Sequence, residues 1–596
     1  MTTYLLRVEA VNFDETIFDT DQLSVRRGGG LLLLNAVAAL EKKTAAIAGL
    51  PESWTKVSAA ASIGLFTFET AEAESAEGVR TAVEGWLRNG SLPYKTNEGK
   101  TASLPLAVAS FVVDVVEMRS DGESDGFADA LKRAMAGNRM RQFRQPTVVR
   151  WDTDDAVDGV KPPRLFCKFD RIRPATRLLR HGGEDGLISN VVHDRYQYGR
   201  AAKQGFYESE AVSDKADVQK VDIGEFDFAR ELNEIAGEES DREWFQSNGI
   251  PLNLLGKMAV IHLDGNGFGK LTSARARVGG ESYRQWSDKL RNHHRELLGS
   301  LLKRIAEDPT WSGKNGIGRD VRLETLLWGG DEIIWIVPAW KGWELVEWFF
   351  GQDHEVDGED VTYSAGVVFC HAKAPIQRIC KVASDLLDAA KGVSKAAVKS
   401  ESESVQKVGR HAVAYEVLES FDDVSGSLAA HRRPWLPKSL LGTNDALGPD
   451  GWLTVAPDVV CKTGGWVALR QLADCGELPM RQLHRLVKAW RSGQCHSVAR
   501  RDEEKATKNE SDFGACSQRI RTAMGDGAKK HLDEFLAAFG AGLMCDTAGQ
   551  VAPQGSQMRE GLAWLHLLQI LPYTVAKVGD GAGEQSTESK PAVAMA

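Results

Sequence analysis

The stretches VIHLDGNGFG at residues 260–269 and LLWGGDEIIW at residues 326–335 decide the fold of this chain. Each contains an apolar run that ends at a carboxylate flanked by glycine. In the second stretch, apolar runs lie on both sides of Gly-Gly-Asp-Glu, which is the pattern of a β-hairpin with acidic residues at its tip. If the two strands are neighbours in one sheet, Asp264, Asp331 and Glu332 converge at one end of it.

These three carboxylates predict a site for divalent metal. Clustered carboxylates repel one another, and a bound cation relieves that repulsion. Mg²⁺ prefers a few carboxylates together with substrate phosphates. Two such ions can activate an attacking oxygen and neutralise a leaving pyrophosphate. We therefore interpret Asp264, Asp331 and Glu332 both as catalytic residues and as ligands of Mg²⁺ or Mn²⁺.

The backbone around the two motifs is predicted to bind a nucleoside triphosphate. Glycine permits a phosphate group to approach the backbone closely, and free N–H groups near the start of a helix bind phosphate oxygens. The alternative is a strand-to-helix turn without a ligand. The candidate nucleotide-binding residues are Gly265, Asn266, Gly267, Phe268, Gly329 and Gly330.

The two motifs resemble those of the palm domain shared by nucleotidyl cyclases and polymerases, and above all the large polymerase-like subunit of type III CRISPR effector complexes. Further segments follow in the order of that family: YSAGVV at 363–368 as a core strand, and HAKAPI at 371–376 leading into a helix. The segment ASDLLDAAK at 383–391 resembles the helix that presents a phosphate-binding lysine in these cyclases. The resemblance implies that Lys391 reaches the triphosphate, an exposed lysine being the alternative.

The chain departs from this family at three points. Many members have Gly-Gly-Asp-Asp, whereas this chain has Glu332 in the last place. Members often carry an N-terminal nuclease domain with a His-Asp pair, and a zinc ribbon between two palm domains. Here the His-Asp dipeptide is His193-Asp194, far from the start, and a single Cys167 stands where the zinc ribbon would lie. We therefore expect neither the nuclease domain nor the zinc ribbon.

The order of predicted elements indicates an α+β chain in four parts. Residues 1–150 are predicted to form a first, non-catalytic, ferredoxin-like palm, and residues 151–250 a connector without a zinc ribbon. Residues 251–420 are predicted to form the catalytic, cyclase-like palm. Residues 421–596 are expected to form a helical C-terminal domain that ends in a disordered tail.

A run of two arginines and three glycines, RRGGG at residues 26–30, precedes the apolar segment that begins at Leu31. We expect this run to open a helix there. It would then offer positive charge and free N–H groups to a phosphate. The alternative is a tight turn with close packing.

Composition narrows the class of protein. A net charge of −10 argues against a protein that simply coats nucleic acid. The eight cysteines show no Cys-x-x-Cys spacing, which argues against a disulfide framework. We find no signal-peptide pattern and no apolar run of the ~18 residues that a membrane span needs. The chain is therefore predicted to be cytoplasmic.

The resemblance implies a metal-dependent nucleotidyltransferase that makes cyclic oligonucleotides, oligoadenylate from ATP being expected, as an antiviral second messenger. It also implies guide RNA, target RNA and CRISPR backbone subunits as partners. Two alternatives remain. One is a diguanylate cyclase-like enzyme, although the Arg-x-x-Asp inhibitory motif of those enzymes is missing before the hairpin. The other is a non-catalytic scaffold subunit of an RNA-guided complex.

Overall fold

The computed structural model shows an α+β molecule with two main sheets and a group of C-terminal helices. The predicted tail, the end of the predicted first palm (residues 145–150) and the first part of the predicted connector (residues 151–164) lie outside the described residues. The structure describes residues 1–13, 17–41, 47, 49–60, 62–96, 98–120, 125–144, 165–181, 184–211, 223–311, 319–399, 409–420, 428–436, 453–491, 513, 516–544 and 555–574.

The first palm is a four-stranded antiparallel sheet with helices on it. In chain order its elements are β1 (Thr2–Val11), α1 (Leu23–Glu41), β2 (Thr55–Ala60), β3 (Ile63–Thr70), α2 (Ala73–Asn89), β4 (Ser91–Lys95), β5 (Thr101–Pro105), β6 (Ser110–Glu117) and α3 (Phe127–Arg144). The spatial order β2-β3-β1-β6 is that of a ferredoxin-like fold, and β4 and β5 form a separate hairpin. This confirms the fold class predicted for the first palm.

A connector follows, made of short strands and helices. Its elements are β7 (Arg177–His181), β8 (Glu184–Ile188), α4 (Asn190–Ala201), α5 (Lys203–Glu210), β9 (Phe226–Phe228), α6 (Leu232–Ala236) and α7 (Arg242–Ser247). Cys167 is buried in a small apolar cluster with Val25, Ile188 and Val192. It thus behaves as a packing residue that ties the connector to α1.

Helix α1 is longer than the sequence predicts, because it begins at Leu23 rather than Leu31. The arginines and glycines at 26–30 lie inside the helix, so their N–H groups are used by helical hydrogen bonds. The predicted phosphate site at a helix start is therefore wrong. The glycines serve packing instead: a Cβ on Gly28 would lie 2.0 Å from the carbonyl oxygen of Arg195 in α4. A side chain there would separate two helices that cross in close contact.

Among the described residues, α1 is also the helix that is long and apolar enough to cross a membrane, by length and composition alone. The expectation that no segment has this character is wrong. In the structure 72% of the most apolar 18-residue stretch of α1 is buried inside the protein, and leucines 31 to 33 belong to the main hydrophobic core. Packing between the two palms accounts for its apolar composition.

The second palm contains the central β-sheet of the molecule. Its elements are β10 (Lys257–Gly265), α8 (Phe268–Val278), α9 (Gly280–Glu307), β11 (Arg319–Val321), β12 (Glu324–Gly329), β13 (Glu332–Pro338), α10 (Ala339–Phe350), β14 (Glu355–Val356), β15 (Glu359–Asp360), β16 (Tyr363–His371), α11 (Ile376–Lys399) and β17 (Ala412–Val417). Strand β10 is paired antiparallel with β13 on one side and β16 on the other. Helix α11 crosses over the sheet, so β17 pairs parallel to β16.

The C-terminal part is mainly helical, as expected. Its elements are α12 (Leu428–Arg432), β18 (Thr454–Val455), α13 (Pro457–Lys462), α14 (Gly465–Cys475), α15 (Met480–Arg491), α16 (Asp526–Gly542) and α17 (Gly555–Ile570). Strand β18 completes the six-stranded order β12-β13-β10-β16-β17-β18. Trp466 stacks on Trp343 of α10 with ring centroids 5.4 Å apart. The helices are therefore packed against the second palm.

Buried ion pairs join the two palms. Glu324, at the start of β12, accepts a hydrogen bond of 2.6 Å from Arg27 Nε of α1 and one of 2.8 Å from Lys203 Nζ of the connector. All three side chains are almost fully buried. A second buried cluster joins Asp19 to Arg195 of α4 at 2.8 Å. Since a buried charge is tolerated only when it is paired, the first cluster fixes how the first palm sits on β12, and the second fixes how the connector sits on the first palm.

Buried histidines lie under the second sheet. The Nε2 atom of His294 is 2.8 Å from the Tyr363 hydroxyl, and His354 Nε2 is 2.9 Å from the Phe349 carbonyl oxygen. Burial, together with neighbouring histidines, lowers the pKa of both side chains to about 3. Both imidazoles are therefore neutral in the folded protein at neutral pH.

The protein should lose stability on acidification below the ordinary histidine pKa of about 6.5. The unfolded chain binds protons there and the folded chain does not, so each of the two histidines contributes up to about 1.4 kcal/mol per pH unit of lost stability between that pKa and about 3. We expect the thermal midpoint of His354→Gln to fall less between pH 7 and pH 5 than that of wild type. Exposed His484→Gln is the matched control. Equal pH dependence in His354→Gln and wild type would contradict the assignment.

Candidate functional site

The register of the central sheet brings the predicted acids to one end. Asp264, near the end of β10, lies directly opposite Glu332 on β13 and Ser364 on β16. Asp331 occupies the two-residue loop between β12 and β13, after Gly330, whose φ of 60° suits glycine at this turn position. The Gly265 N–H donates to the Asp331 carbonyl oxygen at 3.2 Å, which holds the hairpin tip against β10.

The carboxylates of Asp264 and Asp331 interact directly. Burial and the neighbouring charge of Asp264 raise the pKa of Asp331 well above its ordinary value. Lys391 of α11 forms an ion pair with Asp264 on the same side of the sheet. Because its pKa is raised, Asp331 favours its protonated form in the metal-free protein at neutral pH, and a bound cation would take the place of that proton.

This donor set fits a divalent ion that arrives with phosphate. Mg²⁺ is commonly held by one or two carboxylates plus substrate phosphates and water. Among the described residues, no group of three or more His, Cys, Asp or Glu side chains is arranged to hold a metal ion. The oxygens of Asp264 and Asp331 would therefore form the protein part of the ligand set. Their mutual repulsion is the feature that a cation would relieve.

Glu332 is held differently from the other two acids. Its Oε1 lies 2.7 Å from Nε2 of His262, which is buried on β10. Its side chain is 44% exposed and reaches the cleft between the palms. The structure therefore brings Glu332 to the same end of the sheet but directs it towards His262.

The turn after β10 is fixed by side chains that face inwards. Asn266 is buried, accepts a hydrogen bond of 2.8 Å from the Ser364 hydroxyl, and donates one of 2.9 Å to the Arg410 carbonyl oxygen. Phe268 is buried beside Trp286. Gly267 has a φ of 66° and precedes α8. The N–H groups of Gly265 and Asn266 already donate to the carbonyl oxygens of Asp331 and Thr362, so within residues 265–268 a nucleotide would meet the backbone of Gly267 and Phe268.

A cleft of about 870 Å³ separates the two palms beside the hairpin. That volume lies in the range of small-molecule sites. The second palm contributes Gly329, Gly330, Asp331 and Glu332, and the first contributes residues of α1 and of the β2–β3 turn. Helix α11 adds Gln377, Arg378, Lys381 and Ser384.

Sequence reasoning missed Arg378, Lys381 and His262 as cleft residues. The sequence contains a signal for Arg378 and Lys381, because polar residues recur at helical spacing along α11, at Arg378, Lys381, Ser384 and Lys391. Which way this polar face points depends on how α11 packs on the sheet, and the spacing alone does not give that. For His262 the partner lies 70 residues away on another strand.

A ferredoxin-like sheet with acids at the end of its central strand and at the tip of the adjacent hairpin defines a palm of the nucleotidyl cyclase and polymerase class. Residues 257–399 match the family model of Cas10/Cmr2, second palm domain. The chain therefore carries a Cas10-like palm, which confirms the resemblance that the motifs predict. No curated protein matches this chain.

Several solved structures are similar over most of the chain. Csm1 from T. onnurineus is 12% identical, with a TM-score of 0.46, over 97% of this chain and 70% of that one. The Csm1–Csm4 cassette in complex with cA4 is 12% identical, with a TM-score of 0.45, over 91% of this chain and 70% of that one. The Csm1–Csm4 cassette in complex with one ATP is 15% identical, with a TM-score of 0.44, over 91% of this chain and 70% of that one.

Proposed function

We propose that this chain is a metal-dependent nucleotidyltransferase that joins nucleoside triphosphates into oligonucleotides and releases pyrophosphate. The proposal rests chiefly on the half-buried Asp264–Asp331 pair, which lies beside a nucleotide-sized cleft in a Cas10/Cmr2-type palm. A close pair of carboxylates in which one pKa is strongly raised is typical of a functional site.

Each residue has a role in this proposal. Asp264 and Asp331 would hold Mg²⁺ or Mn²⁺, which when bound neutralises triphosphate charge and activates an attacking hydroxyl. Lys391, which pairs with Asp264, would exchange that contact for one with a phosphate oxygen. The backbone of Gly267, Gly329 and Gly330 would let the phosphates approach closely. At Gly265 the ring of Phe268 fills the space beside the Cα atom, so this glycine serves packing.

The two-palm arrangement suits a reaction between two nucleotides. The cleft has one wall from each palm, so a donor and an acceptor nucleotide can face each other across it. Holding two reactants in a fixed orientation is a large part of catalysis for such a transfer. In this proposal the first palm forms one wall of the cleft and contributes no catalytic carboxylate.

The finer assignments rest on the family resemblance. We propose ATP as substrate, a cyclic oligoadenylate as product, and an antiviral second-messenger role. Guide RNA, target RNA and CRISPR backbone subunits are the proposed partners, and the cytoplasm is the proposed location. The domain limits near residues 150, 250 and 420 stay a prediction.

The test is incubation of the purified chain with each nucleoside triphosphate and Mg²⁺ or Mn²⁺, with products identified by mass spectrometry. We expect adenylate oligomers and pyrophosphate from ATP, and loss of product when EDTA removes the metal. A parallel reaction contains guide RNA, matching target RNA and the backbone subunits. Absence of product from every triphosphate in both reactions would contradict the proposal and favour a scaffold subunit.

Glu332 gives a reason to include GTP. The sequence Gly-Gly-Asp-Glu begins the signature of diguanylate cyclases, and Glu332 lines the cleft. Formation of cyclic di-GMP from GTP, without any adenylate product from ATP, would replace the proposed function with a diguanylate cyclase-like one.

A further inference from the structure

His262 lies beside Asp264 and Asp331, the two proposed metal-binding aspartates, and has no role in the function proposed above. It stands two residues before Asp264 on β10, so both side chains are on the face of the sheet that α11 covers. Its ring is buried, and Nε2 contacts Glu332 Oε1 at 2.7 Å. The other ring nitrogen, Nδ1, is buried without a hydrogen-bond partner among the described residues. Among the described residues, Glu332 is therefore the hydrogen-bond partner of this imidazole.

The strand register explains why Glu332 turns towards His262. Glu332 is paired directly with Asp264, while His262 is paired with Ile334 one step further along the strands. Like charges placed directly opposite destabilise a sheet. The side chain of Glu332 is long enough to turn away from Asp264 and reach the imidazole on the next pair. An aspartate at this position would be one methylene shorter and would stay beside Asp264.

The Glu332 side chain also lines the cleft between the palms. The side chain is 44% exposed and lines the cavity together with Gly30 of the first palm and Arg378 of α11. A carboxylate is purely a hydrogen-bond acceptor. Its complement on a nucleotide is a hydroxyl or amino donor, and a ribose carries hydroxyl donors whatever the base.

We propose that His262 is a positioning residue that holds Glu332 out of the metal site, so that Glu332 accepts a hydrogen bond from a ribose hydroxyl of the nucleotide in the cleft. The inference rests on the proposed function and gives the three acidic residues separate roles. Asp264 and Asp331 hold the metal ion, and Glu332 selects a ribonucleotide.

The first measurement separates metal binding from nucleotide binding. Mn²⁺ affinity of the free protein is measured by electron paramagnetic resonance in wild type, Asp331→Ala, Glu332→Ala and His262→Ala. We expect Asp331→Ala to lose Mn²⁺ binding, and the other two variants to stay within about twofold of wild type. Glu332→Ala weakening Mn²⁺ as much as Asp331→Ala would overturn the proposal, because Glu332 would then be a metal ligand.

The second measurement tests selection of the ribose. Calorimetry with α,β-methylene-ATP, which cannot release pyrophosphate, is compared with its 2′,3′-dideoxy form in the presence of Mn²⁺. Wild type should bind the dideoxy form about tenfold more weakly, the size expected for a hydrogen bond to a charged group. His262→Ala and Glu332→Ala should each remove this preference, and the two together should add nothing further. An undiminished preference in either single variant would overturn the proposal.

Two further variants distinguish positioning from a general loss of structure. His262→Gln keeps an N–H donor at a similar reach, so it should restore most of the ribose preference. His371→Ala removes an exposed histidine from the opposite end of the sheet and should change neither measurement. If no triphosphate is turned over, the proposed function fails, while the metal and analogue titrations still decide the role of His262.

Discussion

Replacing Asp264 and Asp331 together by alanine should abolish nucleotide turnover while leaving the chain folded. The two carboxylates are the protein ligands that we assign to the metal ion, and metal stabilisation of the transferring phosphate supplies several kcal/mol. At ~1.4 kcal/mol for each factor of ten, product formation should fall by about 10³-fold or more. The measurement is pyrophosphate release from ATP at saturating Mg²⁺.

The same substitution should not weaken the fold. Burial and Asp264 raise the pKa of Asp331, so the pair costs stability in the metal-free protein. We therefore expect a thermal midpoint equal to or above that of wild type. Asp360→Ala, an exposed aspartate of the same palm, is the matched control and should retain full turnover. Turnover near the wild-type level in the double variant would show that the chemistry lies elsewhere.

Glu324→Ala should cost about 3–5 kcal/mol of unfolding free energy, the range found when one partner of a buried ion pair is removed. Burial alone would raise the pKa of Glu324, but Arg27 and Lys203 lower it below its ordinary value. Removing this carboxylate leaves both cations buried and uncompensated. Because Glu324 begins the strand that leads to the catalytic hairpin, turnover should fall as well. Urea unfolding followed by tryptophan fluorescence measures the loss.

Two comparisons define the cause of that loss. Asp129→Ala breaks an exposed pair with Arg133 on α3 and should give no measurable change. Replacing Arg27, Lys203 and Glu324 together by Met, Met and Leu should recover most of the lost stability, since apolar residues of similar size often replace a buried ion cluster without cost. A Glu324→Ala variant as stable as wild type would contradict the view that this cluster joins the palms.

The convergence of the acids could be predicted from local patterns. The apolar run before Asp264 and the hairpin around Asp331 each indicate a strand, and antiparallel pairing of two such strands leaves few ways to arrange their ends. The ferredoxin-like order of the first palm followed in the same way from the alternation of strands and a helix. These features depend on residues close together in the chain.

The predictions that the structure corrects concern residues whose position or role depends on tertiary contacts. The sequence predicts that the run around glycines 28 to 30 opens a helix or forms a tight turn, but the run lies inside α1. There Gly28 faces α4 and Gly30 faces β12 too closely for side chains. The role of Arg27 depends on Glu324, which lies 297 residues away in the chain. The contact of Glu332 with His262 depends on strand register, which the hairpin pattern did not reveal.

The position of the bound metal ion shows most directly whether Asp264 and Asp331 form the catalytic centre. Crystals of the chain would be soaked with Mn²⁺ and α,β-methylene-ATP, and the ion located by its anomalous scattering. We expect a peak bound by carboxylate oxygens of Asp264 and Asp331 and by phosphate oxygens, with Lys391 moved from Asp264 to a phosphate. A nucleotide bound in the cleft without an ion on either aspartate would contradict this assignment.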